Sequence, residues 1–564
     1  MIVLQERMTE MLADGTNDTA VTGGRFARVL PQMGELIAVF LALAVLAIGL
    51  QLESHCYSAD FGGDEASHYV SGLAIRDYLM SGFGTSPMGF IRDFHSHYPL
   101  IGIGHWGPLY YFVEALWMLV FSTSLASVLA LSVTITTMTA LLIYAQARQL
   151  GGRSAALFAA CAFILAPLVQ AGTSELMLDI PVALLCLCAM FAHARYVEYG
   201  TARYAIAFAV TAAAAMLIKG NAACLALLPP LTILFAWRFD LLRRFTFWLP
   251  VPIVAVIVGP WYALTYGMVA VGFRYHWGWD YVVTAGTANG AILFDTVGPV
   301  ILVAALIGIG VTIARVWRRR VTPLLSAACA LVFADWIFQS IAPAAIQDRY
   351  LAPLLAPLLL LAVVGAATAA TSVKRHLRTP RLVTEAGIAA ILLLTIVPAA
   401  IAVPQKPTFG FMSAAPEVWK RVPANNRSVL IISNGLGEAS AIAALAMYDP
   451  HRPDMIIVRG SRLLGGGGYN NEDYVARFKT VSEVTAAIDD YAIPLVLFRT
   501  NFPGAVPWSH VDQVAEAIET DPARWQQLYR STDVNPPVML FEVRGNERKP
   551  MDQKRLLTLT APKS

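Results

Sequence analysis

Charged residues are scarce in this chain. Only 14% of its 564 residues are Asp, Glu, Lys or Arg, whereas 57% are hydrophobic. A soluble globular protein carries about 25% charged residues. The composition therefore excludes an ordinary soluble protein and indicates an integral membrane protein with several spans. The net charge of +3 is small and gives no sign of a nucleic-acid partner.

Cysteines are also few, and their positions exclude a disulfide framework. Five of the six lie inside apolar runs, where a thiol behaves as a small apolar residue. These are Cys161, Cys186, Cys188, Cys224 and Cys329. Only Cys56 is expected outside the membrane. A secretory cleavage pattern is lacking as well, because acidic residues precede the first apolar segment and no small-residue site follows it. That segment is expected to remain as an uncleaved anchor.

Long apolar runs are abundant. Those long enough to cross about 30 Å of hydrocarbon lie at about 33–50, 125–147, 154–172, 181–199, 204–218, 221–237, 247–266, 295–314, 322–342, 350–371 and 383–403. The loops between them alternate in positive charge, and the basic loops are expected in the cytoplasm. We therefore predict an α-helical multi-pass protein of about 11 membrane-spanning helices, with its N-terminus inside and its C-terminus outside. Residues 108–122 are apolar too, but a span there would invert every later loop. We predict that they form a helix lying in the interface.

This pattern divides the chain into three parts. Residues 1–32 form a cytoplasmic segment, 33–404 a membrane module with a large first outer loop at 51–107, and 405–564 a domain outside the membrane. In the last part short β-branched runs alternate with helical patterns, which predicts an α/β domain with a small sheet. The glycines of Gly435–Gly437 hint at a nucleotide loop, but the third glycine of that fingerprint is missing.

Ionisable residues gather at the outer ends of the predicted spans. Asp64 and Glu65 lie in the first outer loop and Glu175 and Asp179 in a very short one, while Lys219 and Arg349 begin two further turns. Such residues are costly at span ends unless paired or hydrated, so they mark functional sites more often than surface charges do. Acids and cations from four loops predict a cavity for a negatively charged substrate. The structural alternatives are that Asp64 caps a helix with Glu65 in its first turn, and that the cations reach lipid phosphates.

Half of the histidines lie in the first outer loop. They are His55, His68, His95, His97 and His105. His95 and His97 with an acid could bind zinc, but no third and fourth ligand follows at a metal-like spacing. We predict a site without a metal, with a divalent metal as the alternative. The histidines are expected to contact phosphate or to pack on Tyr98 and Trp106.

The run GDEASHYVSGLAIRDYLMSG at 63–82 resembles the first outer loop of the membrane glycosyltransferases of the C-type fold. The likeness is closest to the branch with the dolichyl-phosphate-mannose–protein mannosyltransferases and the lipid A aminoarabinose transferases. It continues in family order through GPLYYFVEALW, the Gly-Gly-Arg turn, LMLDIP, IKGN and DRYLAP, and covers about residues 1–371. There are two departures. The family usually has Pro-Pro before Leu-Tyr-Tyr, preceded by His or Lys, where this chain has residues 105–108, HWGP. The Asn of IKGN replaces a usual proline.

The resemblance implies a glycosyltransferase that takes a polyprenyl-phosphate-linked sugar as donor, without a cofactor. By position Asp64 matches the family's catalytic carboxylate and Asp179 its second acid, and Glu65 would assist them. Lys219 and Arg349 match basic positions that we assign to the donor phosphate. Tyr350 and His105 are grouped with these two cations.

Transfer is expected at the outer face of a bacterial inner membrane, among membrane lipids, to a glycolipid, a cell-envelope glycan or a protein. Direct displacement with Asp64 as base would invert the anomeric centre. Two other classes remain as alternatives. One is a multi-pass transporter, which should show internal repeats and broken helices with charges near the midplane. The other is a membrane-anchored scaffold or sensor that binds through its outer α/β domain.

Overall fold

The structure is a computed structural model that describes residues 19–273, 275–318, 320, 322–377, 398, 401–466, 474–502, 507–546 and 549–561. Side chains are described throughout except at 19–32 and 374–377. The predicted segment at 1–18 and most of the predicted span at 383–403 lie outside the described residues.

The chain up to residue 377 is almost entirely helical. Its α-helices are α1 (Thr19–Glu53), α2 (Gly63–Asp77), α3 (Pro87–His97), α4 (Leu109–Val120), α5 (Leu125–Leu165), α6 (Pro167–Ser174), α7 (Asp179–Tyr199), α8 (Ala202–Met216), α9 (Leu228–Ala236), α10 (Phe245–Trp248), α11 (Pro250–Ala270), α12 (Trp279–Trp317), α13 (Pro323–Ile341) and α14 (Ala352–Leu377). A π-helical turn, Tyr78–Gly82, follows α2. Three 3-10 turns lie at Gly220–Ala226, Phe239–Arg243 and Asp348–Leu351.

Membrane-spanning helices dominate this part, as predicted. Among the described residues, seven helices are long and apolar enough to cross a membrane: Met33–Glu53, Leu125–Leu165, Asp179–Tyr199, Phe245–Ala270, Trp279–Trp317, Pro323–Ile341 and Asp348–Val373. The predicted spans at 154–172, 204–218 and 221–237 are present as broken or shorter helices. Prolines explain two of the breaks, since Pro167 and Pro229 stand in the first turns of α6 and α9, where a ring without an N–H is tolerated.

A sharp turn inside α5 separates two predicted spans. Gly152 has φ +84°, a conformation that glycine adopts without the Cβ clash of other residues. The turn brings Arg148 and Arg153 to Glu35, at 3.1 Å and 2.9 Å. The basic loop that carries Arg148 and Arg153 was predicted in the cytoplasm, and Glu35 lies at the start of the predicted span at 33–50.

Much of the first outer loop is buried and not exposed. Eleven of the fifteen residues of α2 are buried, because α4 covers one side of it and the C-terminal domain another. Helix α4 has twelve residues, about 18 Å at 1.5 Å per residue, which is too short to cross a bilayer. Its Glu114 is buried against Gly72 of α2, where any side chain would collide with the carboxylate.

The C-terminal part is the predicted α/β domain. Its helices are α15 (Phe411–Arg421), α16 (Gly435–Tyr448), α17 (Gly460–Leu463), α18 (Val481–Asp490), α19 (Ser509–Thr520) and α20 (Gln553–Thr560). Its strands are β1 (Ser428–Ile432), β2 (Ile456–Arg459), β3 (Gly465–Gly466), β4 (Val475–Ala476), β5 (Leu495–Phe498), β6 (Trp525–Arg530) and β7 (Met539–Val543). The main sheet has the order β2-β1-β5-β7-β6. Strand β1 pairs in parallel with β2 and β5, and β7 is antiparallel to β5 and β6.

Both faces of this sheet are covered, which explains why the central strands are uninterrupted apolar runs. Val429 and Ile431 of β1 face a core shared with α15, α16 and the first loop. Leu430 and Ile432 face a second core with α18, α19 and α20. The first loop and the C-terminal domain therefore share one hydrophobic core, and the sheet is held directly against the loop that carries Asp64.

Candidate active site

Asp64 lies at the second residue of α2, beside the turn that precedes α14. Arg349 Nη2 donates to Asp64 Oδ2 at 2.7 Å, and Arg349 Nε donates to Gln347 Oε1 at 2.6 Å. The Asp64 side chain is 42% exposed, so it is accessible while it is paired. Burial alone would raise the pKa of Asp64, but the Arg349 charge and its hydrogen bond hold the pKa below its usual value. Asp64 is therefore ionised at neutral pH.

A second acid–cation pair lies on the other side of Arg349. Lys219 Nζ donates to Asp179 Oδ1 at 2.7 Å, and both side chains are at most 10% exposed. The Lys219 ammonium also lies 4.5 Å from the centre of the Tyr350 ring, a cation–π distance. Asp179 Oδ2 is buried and accepts no hydrogen bond from the described part of the chain. This oxygen is therefore able to accept a hydrogen bond from a ligand that binds beside Lys219 and Arg349.

Glu65 has a different setting from its neighbour Asp64. Lys406 Nζ donates to Glu65 Oε1 at 2.6 Å, and the side chains are 2% and 0% exposed. The same carboxylate accepts the backbone N–H of Leu176 at 3.2 Å and that of Gly62 at 2.8 Å. Glu65, and not Asp64, therefore accepts the backbone N–H of Gly62, the residue before α2. The alternative in which Asp64 caps the helix is wrong, because Glu65 makes this contact from the first turn.

A cavity of about 140 Å³ opens beside the two pairs. Its polar lining consists of Glu175, Asp179, Asp348 and Arg349. Burial, followed by the charge of Glu65, raises the pKa of Glu175 from 4.5 to about 7. The cavity therefore contains one carboxyl group that changes charge near neutral pH, together with a permanent cation.

Histidine and aromatic rings line the approach from the first loop. His68 Nδ1 lies 2.9 Å from Tyr111 Oη, and its ring meets Trp106 edge-on at 4.6 Å. Burial lowers the pKa of His68 to about 3 despite the nearby Asp64 charge, so the ring is neutral. His105 contacts the other side of Trp106 at 4.5 Å, and its Nδ1 lies 3.0 Å from the Met268 carbonyl oxygen.

The structure brings the predicted residues of four loops together. Asp64, Asp179, Lys219, Arg349 and Tyr350 are connected by direct contacts, whereas His105 lies farther out, beyond Trp106 and His68. Their catalytic and phosphate-binding roles stay predictions. Among the described residues, no group of three or more His, Cys, Asp or Glu side chains is placed to hold a metal ion.

Two residues of the site were not predicted. Lys406 follows the last apolar segment at 383–403, and no local pattern connects it with Glu65. Glu175 was noticed only as an acid in a very short loop, and its shared cavity with Arg349 is a tertiary feature. An acid four residues before Asp179 at the end of a span was the one signal that could have found Glu175.

One family model matches the chain. Residues 105–264 match the model described as dolichyl-phosphate-mannose-protein mannosyltransferase. No curated protein matches the chain in sequence. The matched residues begin at His105 and include the loops of Asp179 and Lys219, so they carry half of the site described above.

Solved structures match over nearly the whole chain. ArnT from Cupriavidus metallidurans in the apo state has a TM-score of 0.56 at 15% identity, and covers 92% of this chain and 100% of its own. The same protein bound to undecaprenyl phosphate has a TM-score of 0.54 at 15% identity, with 91% and 99% covered. AglB, the oligosaccharyltransferase of Archaeoglobus fulgidus, was solved with an inhibitory peptide and a dolichol-phosphate. It has a TM-score of 0.53 at 14% identity, with 83% and 69% covered.

These findings define the class: the chain has the C-type fold of the membrane glycosyltransferases. Within that class, residues 105–264 are similar to the dolichyl-phosphate-mannose–protein mannosyltransferases, and the fold of the chain is similar to that of ArnT. The predicted resemblance and the prediction of a glycosyltransferase are confirmed at this level. The likeness also reaches farther than predicted, since a coverage of 92% includes much of the C-terminal domain.

Proposed function

We propose that the protein transfers a sugar from a polyprenyl-phosphate donor to an acceptor at the outer face of the membrane, with Asp64 as the catalytic base. The observation that carries this proposal is the partly exposed Asp64 paired with Arg349 at 2.7 Å. A base and a phosphate-binding cation then lie next to each other at the edge of one cavity.

The donor phosphate would take over the cations. Arg349 presents a planar fork that matches phosphate oxygens, and Lys219 adds a point charge beside it. ArnT was solved with undecaprenyl phosphate, which supports a lipid phosphate as the ligand of this fold. When a phosphate engages Arg349, the Asp64–Arg349 bond opens and Asp64 becomes free to accept a proton. Donor binding would thus activate the base.

The chemistry requires no general acid. The acceptor oxygen or nitrogen attacks the anomeric carbon while the bond from that carbon to the phosphate oxygen breaks. The acceptor's proton passes to Asp64, and the electron pair leaves on the phosphate, whose developing charge Arg349 and Lys219 stabilise. Attack opposite to the leaving group inverts the anomeric centre.

The remaining groups would position these reactants. Asp179 holds Lys219 over Tyr350 and offers its second oxygen to a sugar hydroxyl. Glu65 fixes the first turn of α2, on which Asp64 stands, through Gly62 and Lys406. His105, at the outer edge of the aromatic approach, would contact the donor phosphate only after a rearrangement at Trp106.

The test uses a deletion strain complemented with the wild-type chain, Asp64→Asn or Glu198→Gln. Mass spectrometry of envelope glycolipids, glycans and proteins identifies the product and its amount. Asp64→Asn should lower transfer by about 10²–10⁴-fold, the usual contribution of a positioned base. Glu198→Gln, an exposed change at the far end of α7, should match the wild type. Near-normal product from Asp64→Asn would refute the assignment, provided that both variants reach the membrane in equal amounts.

A further inference from the structure

One arginine at the C-terminal end of a central strand of the C-terminal sheet is buried, and no described residue accepts a hydrogen bond from two of its guanidinium nitrogens. Arg499 follows β5, and its backbone N–H donates to the Ile432 carbonyl at the end of β1, at 2.9 Å. The residue is 4% exposed, yet its Nε and Nη1 donate no hydrogen bond to any described residue. A buried charge without hydrogen bonds is costly. The position therefore suggests a ligand that supplies the acceptors.

Arg499 lies next to the start of α16. Its guanidinium is 3.9 Å from the centre of the Phe502 ring. That ring in turn packs on Gly437 in the first turn of α16, because a Cβ at Gly437 would lie 3.0 Å from Phe502 Cε2. The first N–H groups of a helix lack partners within the helix and attract anions. At this start Asn434 Oδ1 already accepts the Gly437 N–H at 3.1 Å, so the N–H groups of Gly435 and Leu436 are the ones left without a partner in the helix. Ser433, which precedes Asn434, also has a buried hydroxyl without a hydrogen bond among the described residues.

The charge of Asp60 acts on Arg499, but the oxygens of this carboxylate already accept hydrogen bonds from other groups. Asp60 Oδ2 accepts the N–H groups of Phe409 and Gly410 at 2.6 Å and 2.7 Å, and Oδ1 accepts that of Met412 at 2.7 Å. Its oxygens are thus committed to the start of α15, and it makes no ion pair with Arg499. The guanidinium keeps its capacity for a second, external anion.

This edge of the sheet faces the proposed active site. Leu436 packs against Gly63, since a Cβ at Gly63 would lie 3.7 Å from Leu436 Cδ1, and Gly63 directly precedes Asp64. An anionic group held at Arg499 and the start of α16 would therefore lie near Gly63, the residue that precedes the proposed base. We infer that Arg499, with the first turn of α16, binds a phosphate or carboxylate group of the acceptor.

The identification of the bound anion as part of the acceptor rests on the proposed function. Anion binding itself can be tested without sugar transfer. The full-length chain in detergent carries Arg349→Gln, so that the proposed donor site binds phosphate more weakly and contributes less to the response. Its thermal unfolding midpoint is followed during titration with inorganic phosphate at constant ionic strength. A second arm compares nanodiscs of phosphatidylcholine with and without phosphatidic acid, to distinguish a lipid headgroup from a soluble phosphate.

Stabilisation by at least one probe is expected. Adding Arg499→Met should weaken its apparent affinity by about tenfold or more, as expected for the loss of charged hydrogen bonds. Arg530→Met, an exposed arginine of β6 in the same sheet, is the matched control and should change nothing. Arg499→Lys, which keeps the charge over Phe502 but loses the fork, should give an intermediate loss and covers the case in which Arg499→Met fails to fold. An unchanged response in the Arg499 variants, or no response of the parent chain to either probe, overturns the inference.

Transfer assays separate this inference from the proposed function. If the wild type transfers sugar, Arg499→Met should raise the KM for the acceptor about tenfold, with kcat and donor affinity near normal. Equal KM values would refute the acceptor site and leave the role of Asp64 intact. A wild type that transfers no sugar would refute the proposed function. The anion titration would still test anion binding at Arg499 independently.

Discussion

Asp64 and Glu65 are neighbours in the chain, yet they belong to two different regions of the molecule. Asp64 faces the membrane module, pairs with Arg349 and is 42% exposed. Glu65 faces the C-terminal domain, pairs with Lys406 and is sealed at 0% exposure. A carboxylate–cation pair therefore occurs twice. We call the partly exposed Asp64–Arg349 pair the open pair and the buried Glu65–Lys406 pair the closed pair. We infer that the open pair exchanges partners during the reaction and that the closed pair holds the framework.

Helix geometry explains how adjacent residues come to differ so much. Successive side chains on a helix point about 100° apart, so α2 directs its two acids to opposite neighbours. One acid meets a turn between membrane helices, and the other meets the segment that leads into α15. The buried carboxylate of Glu65 therefore fixes the first turn of α2, while the neighbouring carboxylate of Asp64 stays accessible.

Breaking the closed pair should have the largest effect on stability. Lys406→Met leaves Glu65 buried without its cation, and the loss of one partner of a buried pair costs about 3–5 kcal/mol. The free energy of unfolding in detergent should fall by that amount. Glu65→Gln combined with Lys406→Met removes both charges and should recover part of the loss. A loss below about 1 kcal/mol in Lys406→Met would contradict a sealed pair.

Breaking the open pair should change ligand affinity and leave stability nearly unchanged. Arg349→Gln should weaken binding of undecaprenyl phosphate by about 10–100-fold, since a hydrogen bond to a charged group contributes about 1.5–3 kcal/mol. Asp64→Asn should bind this lipid at least as well as the wild type, because the competitor for Arg349 is gone. Titration of the lipid into detergent-solubilised protein measures both. Weaker binding in Asp64→Asn would refute the exchange of partners.

The cavity beside the open pair should respond to pH. Burial raises the pKa of Glu175 from 4.5 to about 7, so the folded state holds an extra proton between these values. Folding stability from this group is therefore present below pH 4.5 and is lost as pH rises through about 7. Above pH 7 the carboxylate competes with a bound phosphate for Arg349.

Glu175→Gln should remove this competition. Relative to the variant, wild-type affinity for undecaprenyl phosphate should fall about fivefold between pH 6 and 8, which corresponds to a repulsion of about 1 kcal/mol. The ratio of the two affinities cancels the titration of the lipid phosphate itself. A ratio that stays constant over this range would contradict the assignment of a near-neutral pKa to Glu175.

Of the three acid–cation pairs, the exposed one should contribute least to stability. Arg195 and Glu198 lie 3.2 Å apart on α7, and both are more than 40% exposed. Surface pairs at this spacing contribute about 0.3–0.5 kcal/mol. Glu198→Gln should change the free energy of unfolding by no more than that, and less at high salt. A larger loss would contradict burial as the property that ranks the three pairs.

Much of the fold follows from local patterns. Apolar runs predicted the spans, and the Gly-Gly-Arg turn predicted the break that Gly152 makes inside α5. Four strands of the C-terminal sheet were predicted because they are buried on both faces and read as β-branched runs. Strand β6, WQQLYR, was missed, since it lies at an edge with most of its side chains at least partly exposed and therefore shows no apolar run. The first half of α12, before Gly298, was missed because polar residues interrupt its apolar pattern.

The site likewise contains residues that local sequence patterns predict and residues that only the tertiary structure reveals. Its acids and cations could be predicted because charges at the ends of apolar helices are rare and costly. Their partners could not, because Lys406 and Glu65 are 341 residues apart and no periodicity connects them. Arg499 looked like any arginine after a strand. Only the packing of Phe409 and Phe502 around it reveals that its guanidinium is buried.

The contact between Glu65 and Lys406 can form only after synthesis of the chain has reached residue 406. A ribosome that adds about 5–20 residues per second finishes Glu65 roughly 17–70 s before Lys406, given the 341 residues between them. During that interval the nascent chain has its membrane helices but not the cation that seats α2. A translation product that stops before residue 406 would therefore lack the cation that pairs with Glu65. The first turn of α2, which carries Asp64, would reach its final arrangement only after the chain has passed residue 406.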